Sequence, residues 1–447
     1  GRSNLELNRG LEQFLGRLGI KDETLTNLKV AIQNADIEEY VAAAREHLAN
    51  GTNKATAYTK ENPGKVAAGV AALAVGAGLL VRSYARLIQV NPGLRTDGLL
   101  TATVALPGAR YDSASKVTAF FAALERESAA LPGATGAASV SVLALTQLPW
   151  SSQFSVQGRP PIASTLQVRH RDVTPRYEHV AGVPLKAGRL FTTADDDRAP
   201  GVVLVNEAFV REFFPSENPV GLRISFDRVP DSTSTWRTIV GVVGDERLGG
   251  IAADPVPEII APLAQEPTSR MTLVVRTTGD PAALAPAVRG IVARLDPALA
   301  ISSLRTMDAV RDAALGRDRF VTMLMLAFAL VGAALGVVGV YGVVAQLVRR
   351  RMREMGIRMA HGAAAAQVQW IVVRRGLALA AAGIVVGLGA SAGATRLIAS
   401  LLYGVTPTDV ATFAGVSLLL FGAALAASWI PARQASRAAP TDVLRAD

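Results

Sequence analysis

The sequence predicts an α-helical membrane protein with four transmembrane helices and a large external α+β domain inserted between the first and second helices. Three runs carry no charge, Phe320–Val348, Gly376–Thr395 and Val410–Ile430, and they contain 29, 20 and 21 residues. A helix needs about 20 apolar residues to cross a bilayer core, so each run is long enough. A fourth run, Val66–Val81, has 16 residues rich in alanine and glycine. It reaches spanning length if the arginines that follow it extend to the membrane surface.

Composition excludes several other classes of protein. Of the 447 residues, 50% are hydrophobic and 19% are charged, which is too apolar for a disordered chain. The absence of cysteine excludes a disulfide scaffold, thiolate catalysis, Fe–S clusters and cysteine-based zinc sites. The length allows two or three domains.

The basic residues predict the orientation in the membrane. The net charge is +9, and the segment Arg349–Arg375 holds seven arginines against the single acidic residue Glu354. Positive loops stay on the cytoplasmic side, so this segment and both termini are expected inside, and residues 90–317 outside. The basic excess is therefore interpreted as a topology signal, and no nucleic-acid partner is expected.

Residues 90–317 have the pattern of a soluble α+β domain. Strands are expected at Leu99–Leu106, Ala137–Leu145, Gly201–Val205, Trp236–Val243 and Met271–Thr277, and helices at Ser113–Leu131, Glu207–Phe214 and Pro281–Leu295. Strand–helix–strand order favours a mixed sheet with helices on one face, arranged in two such subdomains.

No catalytic, cofactor-binding or metal site is predicted in this domain. His170 and His179 are expected on the solvated surface, and Asp195–Asp197 is interpreted as an acidic turn. The tripeptide that begins at His170 lacks the other kinase motifs and is attributed to chance. The chain has no G-x-x-x-x-G-K-[ST] motif, so it is not expected to be an enzyme, and any ATP hydrolysis would belong to a partner subunit.

A series of short motifs resembles one known family over about four-fifths of the chain. In order they are GAGLLVRS (76–83), NPGLRTDGLLT (91–101), ALPGA (130–134), VLVNEAFVREFFP (203–215), NPVGLRI (218–224), IVGVVGDERLGGI (239–251), ISSLRTMDAV (301–310), REMGIRMAHGAAAAQV (353–368) and PARQASRAAPTDVLR (431–445). This series is similar to the MacB/FtsX-type permeases of ABC transporters, especially the duplicated or orphan permeases of Acidobacteria and related phyla.

The resemblance implies a division of the chain along the predicted spans. It consists of an N-terminal cytoplasmic helical segment (1–62), transmembrane helix 1 (63–89), a periplasmic MacB-like core domain (90–317), helix 2 (318–348), a cytoplasmic coupling loop (349–375), helix 3 (376–396), a short periplasmic loop (397–409), helix 4 (410–430) and a cytoplasmic tail (431–447).

In this family a cytoplasmic ATPase docks on the loop after the second span and its movement passes to the external domain. The positions that match this coupling region are Arg353, Glu354, Met355, Gly356, Ile357, Arg358, His361 and Gly362. Residues 354–358 are expected to lead into a short amphipathic helix that Gly362 interrupts. His361 departs from the family, which has an apolar residue there. A solvated basic loop that only sets topology is the alternative interpretation.

Six glycines at four-residue spacing are expected to pack helices closely, because small residues let backbones approach. They are Gly332 and Gly336, Gly383 and Gly387, and Gly389 and Gly393. The last three spans contain no ionisable residue, so no ion pathway or proton relay is predicted within them.

Residues 1–62 do not match the permease pattern. Two helices are expected there, and the turn at Glu61–Lys65 resembles the membrane anchors of small ElaB-type proteins. These helices would bind a cytoplasmic partner, lie on the membrane surface or form a small self-packed cap.

Together these observations predict a permease subunit of the bacterial inner membrane that transmits ATPase movement to a periplasmic domain, for export or for mechanical activation in the envelope. The alternative is a permease-like structural or accessory subunit of a larger complex. The expected partners are membrane lipid, a cytoplasmic ABC ATPase or other membrane-complex subunits, and a second copy or a hetero-complex. No cofactor is expected.

Overall fold

A computed structural model describes residues 63–160, 167–227, 229–361 and 364–436. The predicted N-terminal segment 1–62 lies outside the described residues. The chain divides into two compact units. The helix unit comprises the described residues of 63–76, 327–396 and 410–436, and the sheet unit those of 77–326 and 397–409.

Eight α-helices are found among the described residues. They are α1 (Pro63–Ile88), α2 (Ala114–Ala129), α3 (Tyr177–Ala181), α4 (Glu207–Phe213), α5 (Ala285–Leu295), α6 (Met307–Ala360), α7 (Ala365–Ala394) and α8 (Val410–Ser436). Short 3-10 helices precede α5 at Pro281–Leu284 and follow α7 at Ala399–Leu401.

Four of these helices contain stretches long and apolar enough to cross a membrane. The stretches are Ala68–Ile88, Met307–Arg351, Gln369–Ala394 and Val410–Arg433. A mixed sheet lies between the first and second of them along the chain. This arrangement confirms the predicted fold class.

Twelve strands form the sheet in the described part of the chain. They are β1 (Leu99–Ala105), β2 (Ala134–Val140), β3 (Ser151–Ser152), β4 (Ser155–Val156), β5 (Val168–Val173), β6 (Leu185–Gly188), β7 (Val202–Asn206), β8 (Arg223–Ser225), β9 (Arg237–Val243), β10 (Glu258–Pro262), β11 (Arg270–Thr277) and β12 (Ile301–Thr306).

The main path of the sheet is β12-β1-β11-β2-β5-β10-β7-β9-β8-β4, with β3 paired to β5 and β6 paired to β9. The pairs β5–β10 and β7–β9 are parallel, and the other pairs are antiparallel. The two expected subdomains are therefore halves of one continuous sheet.

The prediction that helices cover one face of the sheet is wrong, because both faces are buried. Side chains alternate along each strand. In β1, Leu99 contributes to one apolar cluster and Leu100 to the cluster on the opposite face. The face of Leu99 also receives Tyr177 of α3 and Met307 of α6. Helix α3 and the start of α6 thus contribute to a covering layer that strand periodicity could not reveal.

The opposite face carries two separate clusters, one over each half of the sheet. Helices α2 and α5 cover the first half, with Phe121 and Val288 fully buried. Helix α4 covers the second half through Phe209. The predicted helices and most predicted strands lie within a few residues of the observed ones.

The strands that the sequence pattern missed are short or polar. Strand β5 reads Val-Arg-His-Arg-Asp-Val and is almost entirely buried. Four of its six residues are polar and three of those four are buried, which would cost free energy without partners. Only the tertiary structure supplies those partners, so hydrophobic periodicity gave no signal here.

Helix α6 is longer than the predicted second span. The expected span 318–348 lies inside a single helix of 54 residues that includes the start of the predicted coupling loop. The separate amphipathic helix expected after residues 354–358 is therefore wrong. Arginine and methionine are good helix formers, so charge ends an apolar run without ending the helix.

The helix unit has a small core and a large apolar surface. Val344 of α6, Val372 and Val373 of α7 and Ala432 of α8 form its buried cluster. Many large apolar side chains on the same helices are exposed, such as Val385 at 70% and Leu418 at 73%. Such exposure is expected of helices whose outer faces contact lipid.

Candidate functional site

The predicted coupling segment lies at the end of α6. All of its residues except the last two belong to that helix, and Gly362 lies outside the described residues. The side chains of Glu354, Ile357 and His361 are exposed. Glu354 Oε2 lies 3.5 Å from Arg351 Nη1, and His361 Nδ1 lies 2.8 Å from the Ile357 carbonyl oxygen. The role of this segment in coupling stays a prediction.

The first glycine pair faces another helix within the helix unit. A Cβ atom at Gly332 would lie 3.6 Å from Leu73 Cδ1, and one at Gly336 would lie 3.6 Å from Val70 Cγ2. These are ordinary van der Waals distances. The surface of α1 therefore passes close to both glycines, although alanine would also fit there.

The other two pairs have different surroundings. Gly383 and Gly387 are buried, and the Gly387 carbonyl oxygen accepts a hydrogen bond of 2.6 Å from Ser391 Oγ. A Cβ atom at Gly389 or Gly393 would meet no atom within 4 Å in the described structure. Their packing role stays a prediction.

A further glycine of the helix unit, Gly376, has close surroundings and was not found from the four-residue spacing. A Cβ atom at Gly376 would overlap the Ser428 hydroxyl and would lie 3.3 Å from Val344 Cγ2. Helices α6, α7 and α8 meet at this point. The sequence carries a weak signal, since Gly376 and Ala380 have the same spacing of small residues.

In the sheet unit, three consecutive charged residues follow β9 and each contacts a different part of the fold. We call Asp245, Glu246 and Arg247 the DER segment. Asp245 Oδ1 accepts a 2.7 Å hydrogen bond from the backbone N–H of Ala208, in the first turn of α4. Its other oxygen pairs with Arg211 at 2.7 Å. A carboxylate is favourable at a helix N-terminus, so this contact holds α4 against the segment.

The second residue of the segment belongs to a buried cluster of charges. Glu246 Oε1 lies 2.6 Å from Arg171 Nη2, and its Oε2 accepts a 2.9 Å hydrogen bond from Tyr177 Oη. Arg171 Nε also lies 2.7 Å from Glu258 Oε1. The Arg171, Glu246 and Glu258 side chains are each about 1% exposed. One guanidinium thus neutralises two carboxylates between β5, β10 and the DER segment.

A third carboxyl group nearby has no side-chain partner among the described residues. Both oxygens of Glu178 are buried without one, and burial raises the pKa of this residue to about 8. Burial also raises the pKa of Glu258 to about 7, against the opposing effect of Arg171. Glu178 is therefore expected to be largely protonated at neutral pH.

The third residue of the segment contacts the connection between α7 and α8. Arg247 Nη2 donates a 3.1 Å hydrogen bond to Tyr403 Oη, and its guanidinium lies 5.8 Å from the centre of that ring. Its backbone N–H bonds to the Pro92 carbonyl oxygen at 2.9 Å, just after α1. Gly93 has φ +92°, and a Cβ atom there would overlap the Asp245 carbonyl oxygen.

The same connection is tied to the end of α1. The backbone N–H of Tyr403 donates a 2.8 Å hydrogen bond to Ser83 Oγ. Arg82 and Asp409 form an ion pair. The connection, the end of α1 and the DER segment are therefore joined through side chains, and we call this set of contacts the joint.

The joint consists of side-chain hydrogen bonds and an ion pair. No group of three or more potential metal ligands occurs among the described residues. Asp195 pairs with Arg189 at 2.8 Å and accepts from Thr192, which agrees with an acidic turn.

The expected surface position of His170 is wrong. Its side chain is 2% exposed, lies 3.0 Å from Asp172 Oδ1 and stacks on Trp150 at 4.4 Å. The error has the same cause as the missed strand β5, in which this residue lies. His179 is exposed, as predicted.

Two family models match the chain. Residues 326–440 match the FtsX-like permease C-terminal model, and residues 66–302, more than half of the chain, match the MacB-like periplasmic core domain. The chain belongs to the MacB/FtsX family of ABC exporter permeases.

Relatives of this permease combine two functions in their names. This permease is 25% identical over 318 residues to the macrolide export ATP-binding/permease protein MacB of Neisseria gonorrhoeae. The alignment covers 66% of this chain and 48% of that protein. The chain is 25% identical over 283 residues to the pyoverdine export ATP-binding/permease protein PvdT of Pseudomonas savastanoi, covering 59% and 40%. The permease spans about half the length of the curated relatives it matches.

A solved structure is also similar. The periplasmic region of MacB from Actinobacillus actinomycetemcomitans is 16% identical, with a TM-score of 0.35, and the match covers 51% of this chain and 97% of that one.

The family assignment agrees with the main sequence-based interpretation. One matched model is a permease model and the other a periplasmic core domain, and the names of the curated relatives join ATP binding with permease function. Sequence reasoning found the motif that contains the DER segment but assigned it no role. Its three side chains point to three different elements, and only the folded structure shows them.

Proposed function

We propose that this permease couples a cytoplasmic ABC ATPase to the sheet unit and that the sheet unit moves as a mechanical part of an exporter. The observation that carries the proposal is the direct passage from β12 into α6. Strand β12 ends at Thr306 and α6 begins at Met307, with no connecting loop.

Such a junction would transmit displacement because no loop separates the strand from the helix. Met307 and Val310 are buried in the core on one face of the sheet. Close-packed cores have low compressibility, so movement of this helix end would carry the sheet with it. Helix α6 has 54 residues and a length of about 80 Å at 1.5 Å per residue.

The DER segment supports a second route of transmission. Arg247 bonds to Tyr403, so the connection between α7 and α8 would pull on the same sheet. Two attachments would let the spans rotate or tilt the sheet unit rather than only displace it.

The orientation forms part of the proposal. The arginine-rich segment after the second span supports a cytoplasmic position for that segment and the C-terminus, and a periplasmic position for the sheet unit, in the bacterial inner membrane. The chain has no natural cysteine, so single cysteines can test this. Asp197→Cys should react with an impermeant maleimide in intact spheroplasts, and Ala364→Cys only after permeabilisation. The reverse pattern would contradict the orientation.

The cargo would be a lipophilic compound or a peptide. The names of the relatives, macrolide and pyoverdine exporters, support this class of substrate. The chain would function with a second copy or within a hetero-complex, because four spans are too few to enclose a conventional pore. Light scattering of the purified complex would give the stoichiometry.

The central experiment separates ATP turnover from movement of the sheet unit. The full chain would be purified in mild detergent with its bound partners, and a single cysteine at the exposed residue Ala252 would report movement through its labelling rate. ATP should change that rate by a measurable factor. Glu354→Ala should reduce both ATP turnover and the ATP-dependent change, since it alters the predicted docking segment.

Arg247→Gln should have a different effect. ATP turnover should persist while the ATP-dependent labelling change is lost. Arg270→Gln is the matched control, because this arginine of the sheet unit is exposed and lies outside the joint. Purification of a stable assembly without any ATPase would contradict the proposal and would favour a structural role.

A further inference from the structure

The sheet unit contains a cavity of about 590 Å³ beside the end of α1 and the start of α6. Its walls come from the end of α1, the start of α6, the backbone after the DER segment and residues 400–403. This volume lies within the range of about 300–1,000 Å³ that small-molecule sites occupy. It is too small for a whole two-chain phospholipid but large enough for a headgroup and the upper part of a chain.

The lining contains both apolar and polar side chains. Leu80 of α1, Val321 of α6 and Leu401 form apolar parts of the wall, and Tyr84 and Thr322 add hydroxyl groups. A cavity lined by both apolar and polar side chains suits an amphiphile better than a fully polar solute.

Two charged residues of opposite sign border the cavity. They are Arg317 and Asp318, and neither side chain forms an ion pair within the part of the chain that the structure describes. Adjacent residues on a helix point in different directions, so the two charges do not neutralise each other. The cavity thus presents one positive and one negative group to any occupant.

The position of these charges along α6 indicates the depth at which the occupant would sit. The charge-free run begins at Phe320, only two residues after Asp318. The helix therefore enters the apolar layer directly beyond this pair, and the pair lies at the level of lipid headgroups.

We propose that this cavity binds the headgroup of a zwitterionic aminophospholipid, with the phosphate at Arg317 and the ammonium at Asp318. Arginine matches phosphate geometry through its planar donors, and a carboxylate is the natural partner of a primary ammonium. The acyl chains would pass over Leu80 and Val321 toward the bilayer. The proposal needs only that these helices span a membrane and does not depend on an ATPase partner.

A bound lipid at this point would touch three segments that the joint brings together. The end of α1, the start of α6 and the connection between α7 and α8 all contribute to the wall. The headgroup would therefore act as a removable spacer between the elements that attach the sheet to the spans.

The test measures phospholipid bound to the full chain by native mass spectrometry. The protein is delipidated in detergent and equilibrated with micelles containing equal amounts of dioleoyl phosphatidylethanolamine and dioleoyl phosphatidylglycerol. The wild type should retain one phosphatidylethanolamine per chain in preference to phosphatidylglycerol, which has the phosphate but no ammonium group.

Two substitutions separate the roles of the charges. Asp318→Asn should reduce the preference for phosphatidylethanolamine about fivefold while phosphatidylglycerol still binds, and Arg317→Gln should weaken both lipids about fivefold, the upper range for a partly exposed ion pair. Asp312→Asn and Arg319→Gln are matched controls on the same helix, exposed and outside the cavity, and should bind as the wild type does.

A third variant tests the cavity itself. Ala252 is exposed and lines the cavity, so Ala252→Trp should fill it without altering either charge and should remove the retained lipid. Circular dichroism would verify that each variant is folded. Equal lipid binding by Arg317→Gln and Arg319→Gln, or full retention by Ala252→Trp, would overturn the proposal.

Discussion

The sheet unit and the helix unit are stabilised in opposite ways. The sheet unit buries charge at its centre, where one arginine neutralises two glutamates that are each about 1% exposed. The helix unit has a small core and directs many of its large apolar side chains outward. The comparison shows that the sheet unit accommodates a paired, buried charge cluster beside its large apolar clusters, whereas the buried cluster of the helix unit is small and aliphatic.

The largest effect is expected from breaking the buried charge cluster. Arg171→Met would leave Glu246 and Glu258 buried without their cation, and removing one partner of such a cluster costs about 3–5 kcal/mol. Thermal unfolding of the full chain in detergent, followed by near-UV circular dichroism, would measure this.

Arg270→Met is the control for that change, since this arginine also lies in a strand of the sheet but is exposed. A stability loss no larger than that of the control would show that the cluster contributes little. That result would also mean that buried charge does not distinguish the stability of the sheet unit from that of the helix unit.

A second effect is a pH dependence that originates in the sheet unit. Glu178 has a pKa raised to about 8 by burial, so the folded state keeps a proton that the unfolded chain releases above about pH 4.5. Because the folded state then binds more protons, stability should fall as pH rises from about 5 to 8, by roughly a few kcal/mol. Glu258, with a pKa of about 7, should add to the same trend.

Glu178→Gln should flatten this dependence and should raise the unfolding temperature at pH 8 relative to the wild type. Replacement of the exposed Glu212 by Gln provides a matched control. An unchanged pH profile in Glu178→Gln would mean that this carboxyl group is not the source of the trend.

A third effect belongs to the helix unit. Gly376→Ala should lower stability by about 1–3 kcal/mol, because the added methyl group would overlap Ser428 and overpack the contact. The double variant with Ser428→Gly should recover part of this loss, because the Oγ and Cβ atoms of Ser428 are then removed.

Gly389→Ala offers the opposite test. No atom lies within 4 Å of a Cβ atom there in the described structure, and alanine favours helix over glycine by up to about 1 kcal/mol. This variant should be neutral or stabilising in the same unfolding assay. A large loss would reveal a helix contact made with another chain.

The smallest loss of stability is expected at the joint. Tyr403→Phe removes the hydroxyl that accepts from Arg247 and should cost about 0.5–1.5 kcal/mol while leaving the ring in place. Its influence on the ATP-dependent labelling change at Ala252 should be larger than its influence on the unfolding temperature. Equally small effects on the labelling change and on the unfolding temperature would show that the hydrogen bond between Arg247 and Tyr403 has a structural role only.

The sequence alone determined the spans, the order of the regions and the family. Charge-free runs of 20 residues or more and short ordered motifs are local signals, because each depends on neighbouring residues only. The same locality explains the correct placement of helices such as Ala114–Ala129 and strands such as Arg237–Val243.

The tertiary structure decided the sites. Strand β5 carries Arg171 in a buried position that its polar sequence argues against, and the reason is two glutamates that are 75 and 87 residues away. The space around Gly376 is small because Ser428 of another helix lies against it. Arg317 and Asp318 border a cavity whose other walls come from distant segments. Burial of charge, close approach and cavities are properties of contacts between remote residues, so periodicity and composition could not disclose them.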